Sequence, residues 1–174
     1  MPAPRPRIAF LVGLALSLPT PSTGAPSDIL ARRVVACDEA IASVASPGDA
    51  QPRIVLNRIA FPPRRFLHQL DPSGTGNEFP YFAKSALVIR NGRAPIAVIV
   101  PRAWRNRLAV DWGYSNRGGP EVVAEVRGCE EEREGIWLVY AGGYYVREPA
   151  CVSVIVRTGR LSRRVRISIG RRCL

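Results

Sequence analysis

Lysine is nearly missing from this chain. Lys84 stands alone, so 24 of the 25 Lys and Arg residues are arginine. Alanine, glycine, proline and valine abound beside it. Such usage is that of a genome rich in G and C, so part of the positive charge reflects codon bias rather than function. Histidine is equally scarce: a single residue, His68, rules out a conventional zinc site. No serine stands in a G-x-S-x-G elbow and no cysteines are spaced C-x-x-C, which removes the usual hydrolase nucleophile and the dithiol redox motif. After the first twenty residues there is no apolar run long enough for a membrane anchor.

What is present begins with a charged, then apolar, N-terminus. Arg5 and Arg7 precede the uninterrupted run Ile8 to Leu18, and small and turn-forming residues follow. Eleven helical residues span roughly 16 Å at ~1.5 Å each, about half of a hydrocarbon core. The layout is that of a secretory signal over residues 1–25, cut between 22 and 25, and not of a spanning helix. About 150 residues then remain, enough for one core-forming domain over residues 26–174. Removing residues 1–25 takes away two arginines and no acid, so the formal net charge of +11 falls to +9. A basic exported surface favours anionic wall polymers or lipid head groups as partners. No nucleic-acid-binding motif is present, and the residues call for no cofactor or metal.

Four cysteines, Cys37, Cys129, Cys151 and Cys173, imply two disulfides in an exported chain. "VVAC" at Cys37 resembles a lipidation box, but it lies some eighteen residues beyond the apolar run, past Asp28, Arg32 and Arg33.

Leu30, Val34, Cys37, Ile41 and Val44 follow helical spacing, which predicts a short N-terminal helix over about 28–46. From Arg53 onward the chain reads as short β runs separated by turns. "RNGR" between two apolar runs predicts a hairpin, because Asn and Gly tolerate positive φ. The last pair reads most clearly. Val152, Val154 and Val156 alternate with smaller or polar residues, and Val165, Ile167 and Ile169 alternate with Arg164, Arg166 and Ser168. Eight or nine strands with almost no helix after residue 50 predict an antiparallel β-sandwich, Ig-like or jelly-roll-like. In "YAGGYYV", Gly142 and Gly143 predict a bulge or tight reversal with aromatics packed over them.

A two-residue turn at Thr158-Gly159 would set Cys151 opposite Arg166 and leave Cys173 about 23 Å further along an extended strand. Disulfides need Cα atoms within about 7 Å. The preferred pairing is therefore Cys129–Cys151 with Cys37–Cys173.

"CDEAIAS", "RIVLNRIAFPPRR", "YFAKSALVIRNGR", "WLVYAGGYYVREPAC" and the terminal "GRRC" together resemble a family of uncharacterised secreted actinobacterial proteins. The likeness covers Cys37 to Cys173. It implies export and paired cysteines, and it transfers no catalytic residue.

Catalytic patterns are otherwise thin. His68 near Asp71 lacks a placed serine, and the carboxylates of "CEEEREG", or Asp71 with Glu78, sit in loops rather than across a cleft. "DPSGTGNE" is faintly like a calcium loop but has Phe82 where an acid should stand. No residue is assigned to catalysis. The strongest functional signal is distributed charge: Arg157, Arg160, Arg163, Arg164, Arg166, Arg171 and Arg172, in the last hairpin and its tail, as an anion-binding stripe. The expected function is a non-enzymatic binding or structural module of the cell envelope. The alternatives are an enzyme acting on envelope polymers and a sugar-binding module using Trp137, Tyr140, Tyr144 and Tyr145.

Overall fold

The computed structural model describes residues 32–48, 51–74, 78–114 and 119–174. The proposed signal segment lies outside them. The chain is mainly β, with 51% in strands and 4% helical, and its sheets pack as a β-sandwich. Fifteen strands are present among the described residues: β1 Arg32–Val35, β2 Ala40–Val44, β3 Arg53–Val55, β4 Ile59–Phe61, β5 Leu67–His68, β6 Asp71–Pro72, β7 Tyr81–Lys84, β8 Leu87–Arg90, β9 Ile96–Ile99, β10 Leu108–Trp112, β11 Val123–Val126, β12 Trp137–Tyr140, β13 Gly142–Val146, β14 Ala150–Thr158 and β15 Leu161–Ile169.

Six of them form one sheet in the order β1-β11-β9-β14-β15-β5. The other two sheets, β10-β13-β7-β6 and β2-β12-β8-β4-β3, are halves of one bent surface. Strand β7 pairs with β13 and β8 with β12, so residues 81–90 and 137–146 make one long antiparallel pair interrupted at its middle. The bend is where Ser85 N–H donates to the Gly142 carbonyl at 2.8 Å. Here the expected glycine bulge becomes a change of sheet. Gly142 has φ +143°, and a Cβ on it would meet the Asp111 carbonyl at 2.0 Å. One on Gly143 would meet the Ala83 carbonyl at 2.2 Å. Neighbouring backbones approach into the space of the missing side chains, with Trp112 and Phe82 rings beside them.

The β14–β15 hairpin forms as the alternation predicts. Val152 and Val154 pair with Ile167 and Val165, and Val156 and Ile169 extend the same inward face into the core, which Leu87, Ile89, Leu108, Val110 and Leu138 fill from the bent surface. Its turn is Gly159-Arg160, because Thr158 pairs with Leu161, so Cys151 lies opposite Ser168 rather than Arg166.

Three expectations are corrected. Within the predicted helix 28–46, residues 28–31 lie outside the described residues, and the rest is β1, a 3₁₀ turn over Cys37–Glu39, and β2. Burial along β1 has period two: Val35 is 1% exposed and Arg33 7%, whereas Val34 is 43% exposed, and in β2 Ile41 is 59% exposed. Helical spacing of the apolar residues misleads here because two of the inward positions, Arg33 and Glu39, are charged and add nothing to an apolar pattern. The Asn-Gly hairpin is also absent, since β8 and β9 belong to different sheets. Asn91 is buried instead. Its side-chain N–H groups donate to the carbonyls of Cys129 (2.9 Å) and Glu132 (2.8 Å), and its oxygen accepts from Cys129 N–H at 2.9 Å. One amide thus organises the acidic loop that follows β11.

The disulfides are Cys37–Cys129 and Cys151–Cys173, not Cys129–Cys151 and Cys37–Cys173. Two tertiary features decide this. Strand β1 runs parallel to β11 with Val35 beside Val126, which brings Cys37 level with the start of the next loop, and its Cα lies 5.5 Å from that of Cys129. At the other end the chain does not stay extended. Gly170, at φ +60°, turns it, and Cys173 N–H donates back to Ser168 Oγ at 3.0 Å. Cys173 therefore returns to within 4.9 Å of Cys151, Cα to Cα.

Candidate functional site

All seven arginines of the predicted stripe are exposed. They do not share one face. Arg157, Arg164 and Arg166 alternate with buried Val156, Val165 and Ile167, so they stand on the outward face of the β14–β15 hairpin. Arg163, paired with buried Val156, falls on the opposite face yet is exposed, Arg160 is in the turn, and Arg171 and Arg172 belong to the tail. Arg172 Nη1 donates to the Arg65 carbonyl at 3.1 Å, drawing that tail toward residues 64–66. The acidic run Glu130 to Glu134 lies elsewhere, around Asn91, Gly92 and Arg93, and meets none of these arginines among the described residues.

Two further arginines join the outward face, and they come from the other side of the sandwich. Arg53 opens β3, and its Nη2 donates to the Arg166 carbonyl at 3.1 Å while its guanidinium lies 5.8 Å from the Phe61 ring centre. Arg64 sits where the chain crosses over. After β4 the residues Pro62 and Pro63 end pairing, and β5 then docks parallel to the end of β15, with Leu67 beside Ser168. Arg53, Arg64, Arg164 and Arg166, together with Cys173 and Leu174, line a groove of about 390 Å³. The Cys151–Cys173 disulfide pins the tail that forms its far wall, and Arg166 Nε lies 3.3 Å from Cys151 Sγ. Among the described residues no carboxylate pairs with any of the four guanidiniums. Burial lowers the Arg53 pKa from its ordinary value, and the Arg64 charge lowers it further, only partly offset from the Tyr144 side.

His68, beside this groove, is buried between Phe66 and Tyr144, with ring centres 4.9 and 5.5 Å away. Burial depresses its pKa despite a hydrogen bond to the Lys84 backbone, so the imidazole is held neutral. The aromatic cluster named from the sequence does not form a platform: Trp137, Tyr140 and Tyr144 are buried, and Tyr145 pairs with Phe82 at 4.9 Å between ring centres.

A second charged cluster escaped the sequence reading altogether. Arg33 is buried between Glu39 and Asp111, bonding Asp111 Oδ1 from Nη1 at 3.0 Å and Glu39 Oε2 from Nη2. Nη2 also donates to the Tyr114 carbonyl at 3.1 Å. Burial would raise the Glu39 pKa, yet amide hydrogen bonds from Ala36 and Tyr114 and the Arg33 charge together hold it below the usual range. Asp111 goes the other way. Burial on β10, whose five residues are all buried, outweighs Arg33, and the Glu39 charge adds to the rise.

Glu121, bridged to Val110 beside Asp111, is pushed up to about 7, first by burial and then by the Asp111 charge against the opposing pull of Arg33. A raised carboxyl pKa stabilises the fold only while the group is protonated. The contribution is complete below about 4.5, declines as pH rises through about 7, and is lost above it. Glu121→Gln is therefore expected to match the natural chain at pH 4.5 and to exceed it at pH 8. The gain is about 1–2 kcal/mol once solvent screening of a partly exposed group is discounted. Urea denaturation of both proteins at the two pH values checks it, and equal stability at pH 8 would refute the assignment.

No protein-family model matches the chain, and no curated protein matches it.

Proposed function

We propose that this is an exported, non-enzymatic binding module of the cell envelope whose arginine-rich face engages anionic partners such as wall polymers or lipid head groups. The observation that carries the reading is the exposure of Arg157, Arg164 and Arg166 together on the outward face of the last hairpin, with no carboxylate paired to them among the described residues. Two disulfides fit a chain that matures in an oxidising compartment. Among the described residues no helix is long and apolar enough to cross a membrane. The resemblance to secreted actinobacterial proteins points the same way.

Exposed arginine contacts with a polyanion weaken as salt shortens the Debye length, about 10 Å at 0.1 M and 3 Å at 1 M. The full chain, freed of its signal segment, is expected to bind an immobilised polyglycerol-phosphate resin at low ionic strength and to elute in a salt gradient. The variant Arg157→Ser/Arg164→Ser/Arg166→Ser should elute distinctly earlier. Passage through the resin without retention, or co-elution of the two proteins, would sink the reading.

A further inference from the structure

We infer that the groove between Arg53, Arg64, Arg164 and Arg166 is a discrete binding site for a phosphate group carrying two or more negative charges. The inference rests on the proposed polyanion reading and narrows it from a face to a pocket. Its first support is convergence: four guanidiniums from three separate segments, β3, the crossover after β4, and β15, line one concavity of about 390 Å³. That volume lies within the range of small-ligand sites. Its second support is electrostatic. Like charges brought together on a fold cost free energy, and here no carboxylate among the described residues forms an ion pair with them. A monovalent anion would leave most of that repulsion in place, whereas a phosphate dianion or a pyrophosphate offsets two or more charges.

The third support is an orphaned donor. Arg53 Nε is buried and has no hydrogen-bond partner, although Nη2 of the same group is fixed to the Arg166 carbonyl. The guanidinium is thus held in place by backbone and by the Phe61 ring while keeping donor capacity in reserve. Arginine suits this ligand because its planar fork of N–H donors matches two phosphate oxygens at once. A groove built of lysines would hold the same charge without that geometry.

The chemistry serves equally for a phosphorylated polyol in solution or in a polymer, and for the head group of an anionic lipid. Titration calorimetry with inorganic pyrophosphate is the direct test, using the full mature chain with both disulfides intact. One site per chain is expected. Arg53→Gln and Arg64→Gln should each weaken binding roughly tenfold or more, as befits loss of a charge-assisted contact. Arg64 is exposed, so its variant reports on binding even if the Arg53 variant folds poorly. Arg105→Gln, an exposed arginine outside the groove, controls for net charge and should stay within about twofold. Co-sedimentation with phosphatidylglycerol vesicles identifies the source. Capture that pyrophosphate competes away assigns a lipid head group, and pyrophosphate binding without vesicle capture assigns a soluble or polymeric phosphate. Absent pyrophosphate binding, or equal weakening in all three variants, overturns the groove as a site. If retention on the polyanion resin then persists, the broader reading survives, and if both fail, both fall.

Discussion

Arg33→Met is expected to cost about 3–5 kcal/mol, the range seen when one member of a buried ion pair is removed and its partners remain. Methionine fills much of the same space, so the loss is electrostatic rather than a cavity. Glu39 and Asp111 would both stay buried without their shared cation. Glu39 retains the Ala36 and Tyr114 amides at 2.9 and 2.7 Å, whereas Asp111, already raised by burial, keeps least and should bind a proton. This gives the prediction a pH signature. In the natural chain the lowered Glu39 pKa contributes stability above about pH 4.5 that is lost as pH falls through its folded value. In the variant that contribution shrinks, and protonation relieves the stranded carboxylates, so the deficit against the natural chain should narrow from pH 7 to pH 4. Urea midpoints at both values decide the matter. A deficit below about 1 kcal/mol at pH 7, or one that does not narrow, would mean the cluster is not the electrostatic unit described here.

Removing the Cys37–Cys129 bridge by paired alanine substitution should have a similar effect. It closes a loop with a sequence separation of 92, against 22 for Cys151–Cys173. Loop-closure entropy assigns the longer bridge about 4–5 kcal/mol and the shorter about 3 kcal/mol. For a chain of this size the first figure corresponds to a fall in Tm of roughly 10–18 °C. The longer bridge also ties the edge strand β1 to the loop after β11, so its loss should expose β1 to hydrogen exchange before the rest of the sheet. Thermal melts of the two double variants give the ranking. Peptide mapping under non-reducing conditions gives the pairing, and recovery of Cys37 linked to Cys173 would falsify the topology at that edge.

How much of this was legible beforehand depended on whether the signal was local. The β14–β15 hairpin was readable because valine and isoleucine alternate with arginine and serine over nine residues on each strand. Its register was displaced by two residues because a turn can begin at Thr158 or at Gly159 with little change in local chemistry. Around Val34 and Ile41 the apolar spacing imitates a helix because hydrophobic periodicity assumes that charge points outward, whereas Arg33 and Glu39 point inward to each other. Asn91-Gly92 carried a hairpin signal whose amide was engaged by backbone from a loop some forty residues away.

The candidate site divides along the same line. Its β15 arginines could be named from composition and alternation. Arg53 and Arg64 looked like ordinary basic residues near strand ends, and nothing short of the crossover after β4 places them beside Arg164 and Arg166.

Composition and short-range pattern by themselves determined that this chain is β-rich, carries two disulfides' worth of cysteine and presents arginine on its last hairpin. Strand propensity, side-chain alternation and cysteine count act over a few residues, so they survive without knowledge of partners. Only the tertiary structure decided which cysteines meet, which charges are buried together and which arginines share a groove. Those outcomes depend on parallel edge pairing and a change of sheet at Gly142, contacts whose loop-closure cost is met by the whole core and by no local stretch.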